Sequence, residues 1–222
     1  MNMVHRNSAL QRLLAAADER TLSMLRKVTY TAAETWSSGA AANASLWFPE
    51  RGMLVLEQPQ GKVLVEVALI GWTTALHVPG QSGWHLRALC DGYAYAMPAQ
   101  AAASLCPDVL LHAQNRVMQD MASWVYCQQH HSPVHSLADR LLWLHRLSGD
   151  EVQAWSVHNL PGSRRLLPAQ TDRAVRELQR AGAVSLQGEH VQVRDAGVLC
   201  TWACGCHASR VSADAATAGQ ML

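Results

Sequence analysis

The sequence predicts an α+β protein in which a β-rich N-terminal half is followed by one long helix and a small helical domain that ends in a β-hairpin. Three observations support this fold class. Between residues 30 and 97, short β-rich runs alternate with turn formers such as Pro59-Gln60-Gly61 and Asp91-Gly92, which is typical of an antiparallel sandwich or roll. Residues 107–131 then have the apolar spacing of a long helix. Residues 184–193 have the pattern of strand, turn and strand.

Composition limits the classes of protein to consider. The chain has 222 residues, of which 49% are hydrophobic, so it can bury a real core in one large or two small domains. A formal net charge of +1 argues against a polybasic protein and confines any nucleic-acid contact to one patch. We expect the six cysteines to be reduced thiols, because no export signal is predicted.

The N-terminal segment has apolar residues at helical spacing, which predicts two short amphipathic helices around residues 10–14 and 22–28. Charged residues, among them Arg12, Asp18 and Glu19, interrupt the apolar ones, so no signal-peptide core is predicted. The sequence also has no run of about 18 apolar residues, which is the length that a membrane span needs. We therefore expect a cytoplasmic protein without a membrane partner.

Two apolar runs, residues 53–56 and 63–70, flank the turn former at residues 58–61. Strands of this kind could form plain sheet core or the floor of a ligand pocket. The residues alone leave both interpretations open.

The helix over residues 107–131 has an apolar stripe. Leu110, Val117 and Trp124 fall seven residues apart, with Met121 between the last two. Such a stripe can pack against a copy of itself, so we predict a homodimer that uses these four side chains. The alternative is that the helix lies on its own β-domain.

The C-terminal part begins at Ser132-Pro133, which ends the long helix and starts another, because Ser is a good N-cap and Pro fits the first helical turn. Leucines in residues 137–144 give the new helix a broad apolar face. A further helix ends near residue 183, with Gly182 close to its C-cap, and the hairpin follows.

Four segments carry a resemblance to a known family: LWFPERG (residues 46–52), VEVALIG (65–71), HSLADRL (135–141) and RAVRELQRAGAV (173–184). With the order of the elements, they make the chain resemble the Crp-Fnr superfamily of bacterial transcription regulators. The resemblance implies a β-roll (jelly-roll-like) ligand-sensing domain with short N-terminal helices over residues 1–106 and a dimerisation helix over 107–131. It further implies a winged helix-turn-helix DNA-binding domain over 132–207 and a flexible tail over 208–222.

The resemblance also implies an effector cavity walled by the β-hairpins. Members that bind cyclic nucleotides hold the phosphate with a Gly-Glu motif at a helix start and an Arg downstream. Here Gly71 is followed by Trp72 and Thr73, so the Glu is absent, and Arg87 is the only nearby Arg. We therefore predict a small-molecule effector of unknown class rather than a cyclic nucleotide, with these four residues as candidate pocket residues.

The sequence predicts no cofactor. The iron–sulfur sensors of the resembled family use an N-terminal cysteine cluster, and this chain has no Cys before Cys90. Spacing selects no axial ligand for haem. The metal-capable residues Cys200, Cys204, Cys206 and His207 lie on one short stretch, which could enclose a zinc ion only by looping tightly, so we predict no metal site there.

DNA binding is predicted for the helix near residues 168–181. Arg suits guanine and Gln suits adenine in the major groove, while flanking Arg residues hold phosphates. The predicted DNA-binding residues are Gln170, Thr171, Arg173, Arg176, Arg164 and Arg165. Two features depart from the family pattern: Pro161-Gly162 interrupts the preceding helix, and Pro168 stands where the family has an Arg.

We therefore predict a dimeric DNA-binding transcription regulator whose partners are double-stranded DNA, a second copy and an unknown effector. The competing hypothesis is a protein-interaction module with the same fold and a degenerate helix-turn-helix. Basic charge that clusters on one exposed face and is reached by Gln170 and Arg173 favours the regulator, whereas burial of those side chains favours the interaction module. No catalytic motif is found in the sequence, so we do not expect an enzyme.

Overall fold

The computed structural model describes residues 5–37, 45–61, 63–73, 75–80, 83–148, 154–157, 160 and 168–206. The chain divides into two compact units, Met1–Met121 and Ala122–Leu222. The division falls within the longest helix, and the boundaries at residues 106/107 and 131/132 stay a prediction. The predicted tail, residues 208–222, lies outside the described residues. None of the described helices combines the length and apolar character that a bilayer crossing requires.

In the part of the first unit that the structure describes, there are three short helices, eight strands and the start of the long helix α4. In chain order these are α1 Ser8–Ala16, α2 Glu19–Met24, β1 Arg26–Tyr30, β2 Thr35–Ser37, β3 Ser45–Arg51, β4 Leu54–Gln60, β5 Val63–Ile70, β6 Leu76–Val78, β7 His85–Ala88, β8 Gly92–Pro98, α3 Ala99–Leu105 and α4 Pro107–His130. The strands form two antiparallel sheets, in the orders β1-β8-β3-β6 and β2-β7-β4-β5.

The N-terminal helices begin at side-chain caps. The side chain of Asn7 accepts a hydrogen bond from the Leu10 N–H at 2.9 Å, and Asp18 caps α2 in the same way. The second predicted helix is shorter than its apolar spacing indicates, since α2 ends at Met24 and Val28 lies in β1 opposite Ala94. Pairing with β8 supplies strand hydrogen bonds that override the helical spacing.

The core of the first unit lies on both faces of β3, because neighbouring side chains of a strand point to opposite faces. Trp47 joins a cluster with Leu54, Leu56 and Ile70 from the other sheet. Leu46 and Phe48 point the other way, into a second cluster formed with α1, α3 and α4. The helical members of that cluster are Ala9, Leu10, Leu13, Ala102 and Ala113.

The two apolar runs that flank residues 58–61 form the paired strands β4 and β5, with Leu54 opposite Ile70. Residues 53–57 and 66–70 are buried. In the first unit, therefore, these runs serve as sheet core.

The second unit contains the end of α4 and a small helical domain with a three-stranded sheet. Its further elements are α5 Pro133–Ser148, β9 Ala154–Ser156, α6 Pro168–Arg180, β10 Val184–Gln187, β11 His190–Val193 and α7 Ala196–Trp202. The sheet order is β10-β11-β9, and β10 and β11 form the predicted hairpin with Gly188 at φ +60° in its turn. Helix α5 packs against α6 and α7. The predicted interruption at Pro161-Gly162 lies outside the described residues.

Candidate functional site

The exposed face of α6 is the first candidate site. Its opposite face is buried through Ala174, Val175 and Leu178, at the three- and four-residue spacing of an amphipathic helix. Packing of α6 against α5 therefore leaves one polar stripe on the surface. The exposed polar residues of this stripe are Gln170, Asp172, Arg173, Arg176, Gln179 and Arg180.

Gln170 and Arg173 stand at the first turns of α6. Together with Ser132 and Pro133 at the start of α5, they line a groove. The Arg173 side chain is 83% exposed, and its Nε donates to the Glu177 carboxylate one turn later at 3.0 Å. The ion pair holds the guanidinium along the helix surface. Because the pair is exposed, solvent screens the attraction between the two charges and the pair contributes little to stability.

The structure shows which of the predicted DNA-binding residues are exposed on α6. Thr171 is only 3% exposed and lies on the inner face of α6, so its hydroxyl cannot reach a ligand on the outer face. The burial of Thr171 therefore argues against the predicted DNA contact of this residue. Arg164 and Arg165 lie outside the described residues. Gln170, Arg173 and Arg176 are exposed, as binding requires.

Helix α4 presents a second candidate surface, which is displaced from the predicted stripe. Leu110 and Val117 pack against the two core clusters of the first unit. Trp124 is 4% exposed in the second unit, where the Arg140 guanidinium carbon lies 3.2 Å from its ring centroid. Of the four predicted dimer residues, only Met121 is exposed. Trp124 is buried, and Leu110 and Val117 are half-buried, so Met121 is the most accessible of the four.

A different set of apolar side chains on α4 faces outward. Leu111, Met118 and Val125 are 56%, 67% and 52% exposed. They repeat at seven-residue intervals, one position after the predicted stripe, and Met121 lies beside them. We call Leu111, Met118, Met121 and Val125 the α4 apolar face.

The predicted ligand-pocket residues make contacts within the first unit. Arg87 on β7 is buried, and its Nε and Nη2 donate to Glu57 Oε1 on β4 at 2.9 and 2.7 Å. Nη2 also donates to Glu66 Oε1 on β5 at 3.2 Å. Both carboxylates are almost fully buried. The guanidinium is therefore held by two carboxylates of the sheet, which leaves it poorly suited to bind an anion.

The other predicted pocket residues lie just after β5. The Trp72 ring lies under the Arg6 guanidinium, with 4.5 Å between the guanidinium carbon and the ring centroid. The Thr73 carbonyl accepts a hydrogen bond from the Ser8 hydroxyl at 2.9 Å, and Gly71 is buried. These contacts tie the segment to the N-terminal residues, so they give it a structural role.

Three cysteines of the second unit come together. Cys127 on α4 meets Cys204 and Cys206, which follow α7, and their three sulfur atoms lie within 4.8 Å of one another. Hydrogen bonds with Cys204 and with Ser136 lower the pKa of the Cys127 thiol, although burial opposes the shift. The contact with Cys127, together with burial, raises the pKa of Cys204. The sequence did not predict this cluster, because Cys127 lies far from the C-terminal cysteines along the chain.

The three-cysteine cluster differs from the four metal-capable residues at positions 200–207 that the sequence suggested. Cys200 is exposed on α7 and is not a member, and His207 lies outside the described residues.

Comparison with known proteins finds similarity in structure. No protein-family model matches the sequence, and no curated protein matches it either. A protein from Eubacterium rectale, assigned to the Crp/Fnr transcriptional regulators, superposes with a TM-score of 0.64 at 14% identity, covering 86% of this chain and 96% of its own.

Two further solved structures superpose equally well. FixK2 from Bradyrhizobium japonicum has a TM-score of 0.64 at 13% identity, covering 81% of this chain and 98% of its own. A CRP-family transcriptional regulator from Thermus thermophilus has a TM-score of 0.64 at 13% identity, with coverage of 79% and 96%. The chain therefore has the fold of the Crp/Fnr regulators, and the predicted fold class and resemblance are confirmed.

We predict that Arg87→Met strongly destabilises the first unit, because it leaves Glu57 and Glu66 as buried carboxylates without their guanidinium. Removing one partner of a buried ion pair costs about 3–5 kcal/mol. Urea unfolding followed by tryptophan fluorescence measures the change in the free energy of unfolding.

Arg173→Met provides the matched control, since it removes an Arg from an exposed ion pair. This surface substitution should change the free energy of unfolding by no more than about 0.5 kcal/mol. If the two variants were equally stable, the buried cluster would not support the sheet, and Arg87 would again be a candidate ligand residue.

Proposed function

We propose that the chain is a dimeric DNA-binding transcription regulator that contacts the major groove with the exposed face of α6. The observation that carries this proposal is the exposure of Gln170, Arg173 and Arg176 on an amphipathic helix held by α5, in a chain with the Crp/Fnr fold. Gln pairs with adenine edges and Arg with guanine edges, and both read them through two hydrogen bonds.

The charges on this face favour selective over strong DNA binding. Arg173, Arg176 and Arg180 contribute three positive charges, which Asp172 and Glu177 reduce to a net +1. A face with so little excess charge releases few counterions from phosphates, so non-specific binding should be weak. Arg173 must also leave Glu177 in order to reach a base, which costs little because the pair is exposed.

Dimerisation is proposed through the α4 apolar face. Leu111, Met118 and Val125 form a heptad stripe, and Met121 lies three residues after Met118, which gives the a and d spacing of a two-stranded coiled coil. Two copies joined in this way would place two α6 helices on one DNA duplex, as the two-fold symmetry of dimeric helix-turn-helix proteins requires.

The first unit is proposed to bind a small-molecule effector, and only its β-roll fold supports this role. Arg87 is engaged by Glu57 and Glu66, and Gly71 is followed by Trp72 rather than Glu. These residues argue against a cyclic nucleotide as the effector. The proposal includes no catalytic activity.

The competing proposal is an interaction module that does not bind DNA. It would have been favoured by burial of Gln170 and Arg173, and both side chains are exposed. The DNA-binding measurement below distinguishes the two proposals.

We predict that Arg173→Ala reduces discrimination between DNA sequences more than overall affinity. Loss of a two-bond contact to a base should lower the preference for a selected duplex over random duplex by about 5- to 150-fold. The measurement is fluorescence anisotropy over a salt series, with a duplex that the wild-type protein enriches from a random pool.

Gln179→Ala is the matched control, because Gln179 is exposed near the opposite end of the same helix. If Arg173→Ala lost equal affinity for the selected and the random duplex, Arg173 would be identified as a phosphate contact. Failure of the wild-type protein to bind either duplex at low salt would favour the interaction module.

We predict that Met118→Glu dissociates the dimer, since it places two like charges at the centre of the proposed apolar seam. Sedimentation velocity should show a monomer for this variant and a dimer for the wild type. Gln119→Glu adds the same charge about 100° further around the helix and should leave the dimer intact. A dimer that persists in Met118→Glu would exclude the α4 apolar face as the interface.

A further inference from the structure

The three-cysteine cluster joins two distant parts of the sequence within the second unit. Cys127 lies near the C-terminal end of α4, whereas Cys204 and Cys206 lie just after α7. The Sγ atoms of Cys127 and Cys204 are 3.5 Å apart, although 77 positions separate the two residues in the chain. Two short segments that each supply sulfur atoms to one point are the usual construction of a thiolate metal site.

Local backbone geometry brings the two C-terminal cysteines to the same point. Helix α7 begins at its Asp195 cap and ends at Trp202. Gly205 then has φ +79°, a left-handed conformation that other residues rarely adopt. The turn at Gly205 lets Cys204 and Cys206 both approach Cys127.

The sulfur spacing suits a shared metal ion. A tetrahedral zinc ion with bonds of about 2.3 Å holds its sulfur ligands about 3.8 Å apart. The separation of 3.5 Å between Cys127 and Cys204 is close to this value, and all three sulfurs lie within 4.8 Å. A disulfide would need sulfur atoms at about 2.05 Å. Small side-chain rotations therefore suffice to form the metal site.

We propose that Cys127, Cys204 and Cys206 bind one Zn²⁺ ion through their three sulfur atoms, with a water molecule or another donor in the fourth position. Each thiol that binds the ion releases its proton to solvent, and no electron is transferred. Thiolate sulfur is a soft ligand that selects zinc, copper(I) and iron–sulfur clusters. Of these, zinc forms tetrahedral sites that need no fourth cysteine, since a nitrogen or oxygen donor can complete them.

Bound zinc would fasten the segment after α7 to the end of α4. Cys204 and Cys206 are half-buried and follow α7. An ion that binds only the folded state raises the free energy of unfolding, and this increase grows with the logarithm of its concentration divided by Kd. The site is independent of the proposed DNA face, because none of its three ligands lies on α6.

Zinc content of the purified full-length chain is the direct test. The protein is kept reduced, incubated with Zn²⁺, desalted and analysed for metal by mass spectrometry. The wild type should retain one equivalent of zinc per chain. Cys127→Ser and Cys204→Ser should lose it, whereas Cys200→Ser should retain it, because Cys200 is exposed on α7 and lies outside the cluster.

Thermal unfolding of the wild-type protein is a second measurement, and it does not depend on variants that fold. Chelation should lower the Tm, and added Zn²⁺ should restore it. Replacement of zinc by Co²⁺ should give the intense sulfur-to-cobalt absorption of thiolate ligands, and this absorption should decrease in Cys206→Ser.

Several results would overturn the proposal. They are failure of the reduced wild type to retain zinc, equal retention in Cys204→Ser, or equal loss in Cys200→Ser. Detection of a Cys127–Cys204 disulfide, in a protein that takes up no zinc after reduction, would assign the cluster to thiol oxidation instead. Retention of copper(I) but not zinc would also contradict it.

Discussion

The second unit depends on the burial of α5. Every residue from 137 to 144 is buried, which is the pattern of a helix surrounded by its own domain. Helix α5 packs against α6 on one side and α7 on another. The contact with α6 determines which side chains of α6 remain exposed. The contact with α7 holds the helix that precedes Cys204. Both the proposed DNA face and the proposed zinc site thus depend on one buried helix.

Helix α5 also buries the charged residue Arg140, and its surroundings explain how the helix accommodates this charge. Arg140 places its guanidinium over the rings of Trp124 and Trp143. An aromatic face attracts a cation that has been removed from water, which offsets part of the cost of burial. The sequence shows Trp124 as a member of an apolar heptad, whereas the structure uses it as a partner for this cation.

Sequence patterns predicted the fold well because its elements have strong local signals. The hairpin at residues 184–193 and the helix before it follow from alternation and from Gly182, and both appear in the structure. The face of α4 was harder to predict, because residues 110, 117 and 124 and residues 111, 118 and 125 share the same spacing. The packing of Leu110 and Val117 against the core and the burial of Trp124 against Arg140 distinguish the two stripes. The ion pairs of Arg87 were also hard to predict, because they depend on the strand register. This register brings Glu57 and Glu66 opposite each other. Two acidic residues within apolar runs were the available signal that a buried cation was needed.

The central claim is that two copies of α6 contact one DNA duplex from the same side. Hydroxyl-radical footprinting of the full-length protein on an enriched duplex tests it most directly. We expect two protected patches on one face of the DNA, separated by about one helical turn of 10 base pairs. A single protected patch would contradict the dimeric arrangement, and no protection at low salt would contradict DNA binding itself.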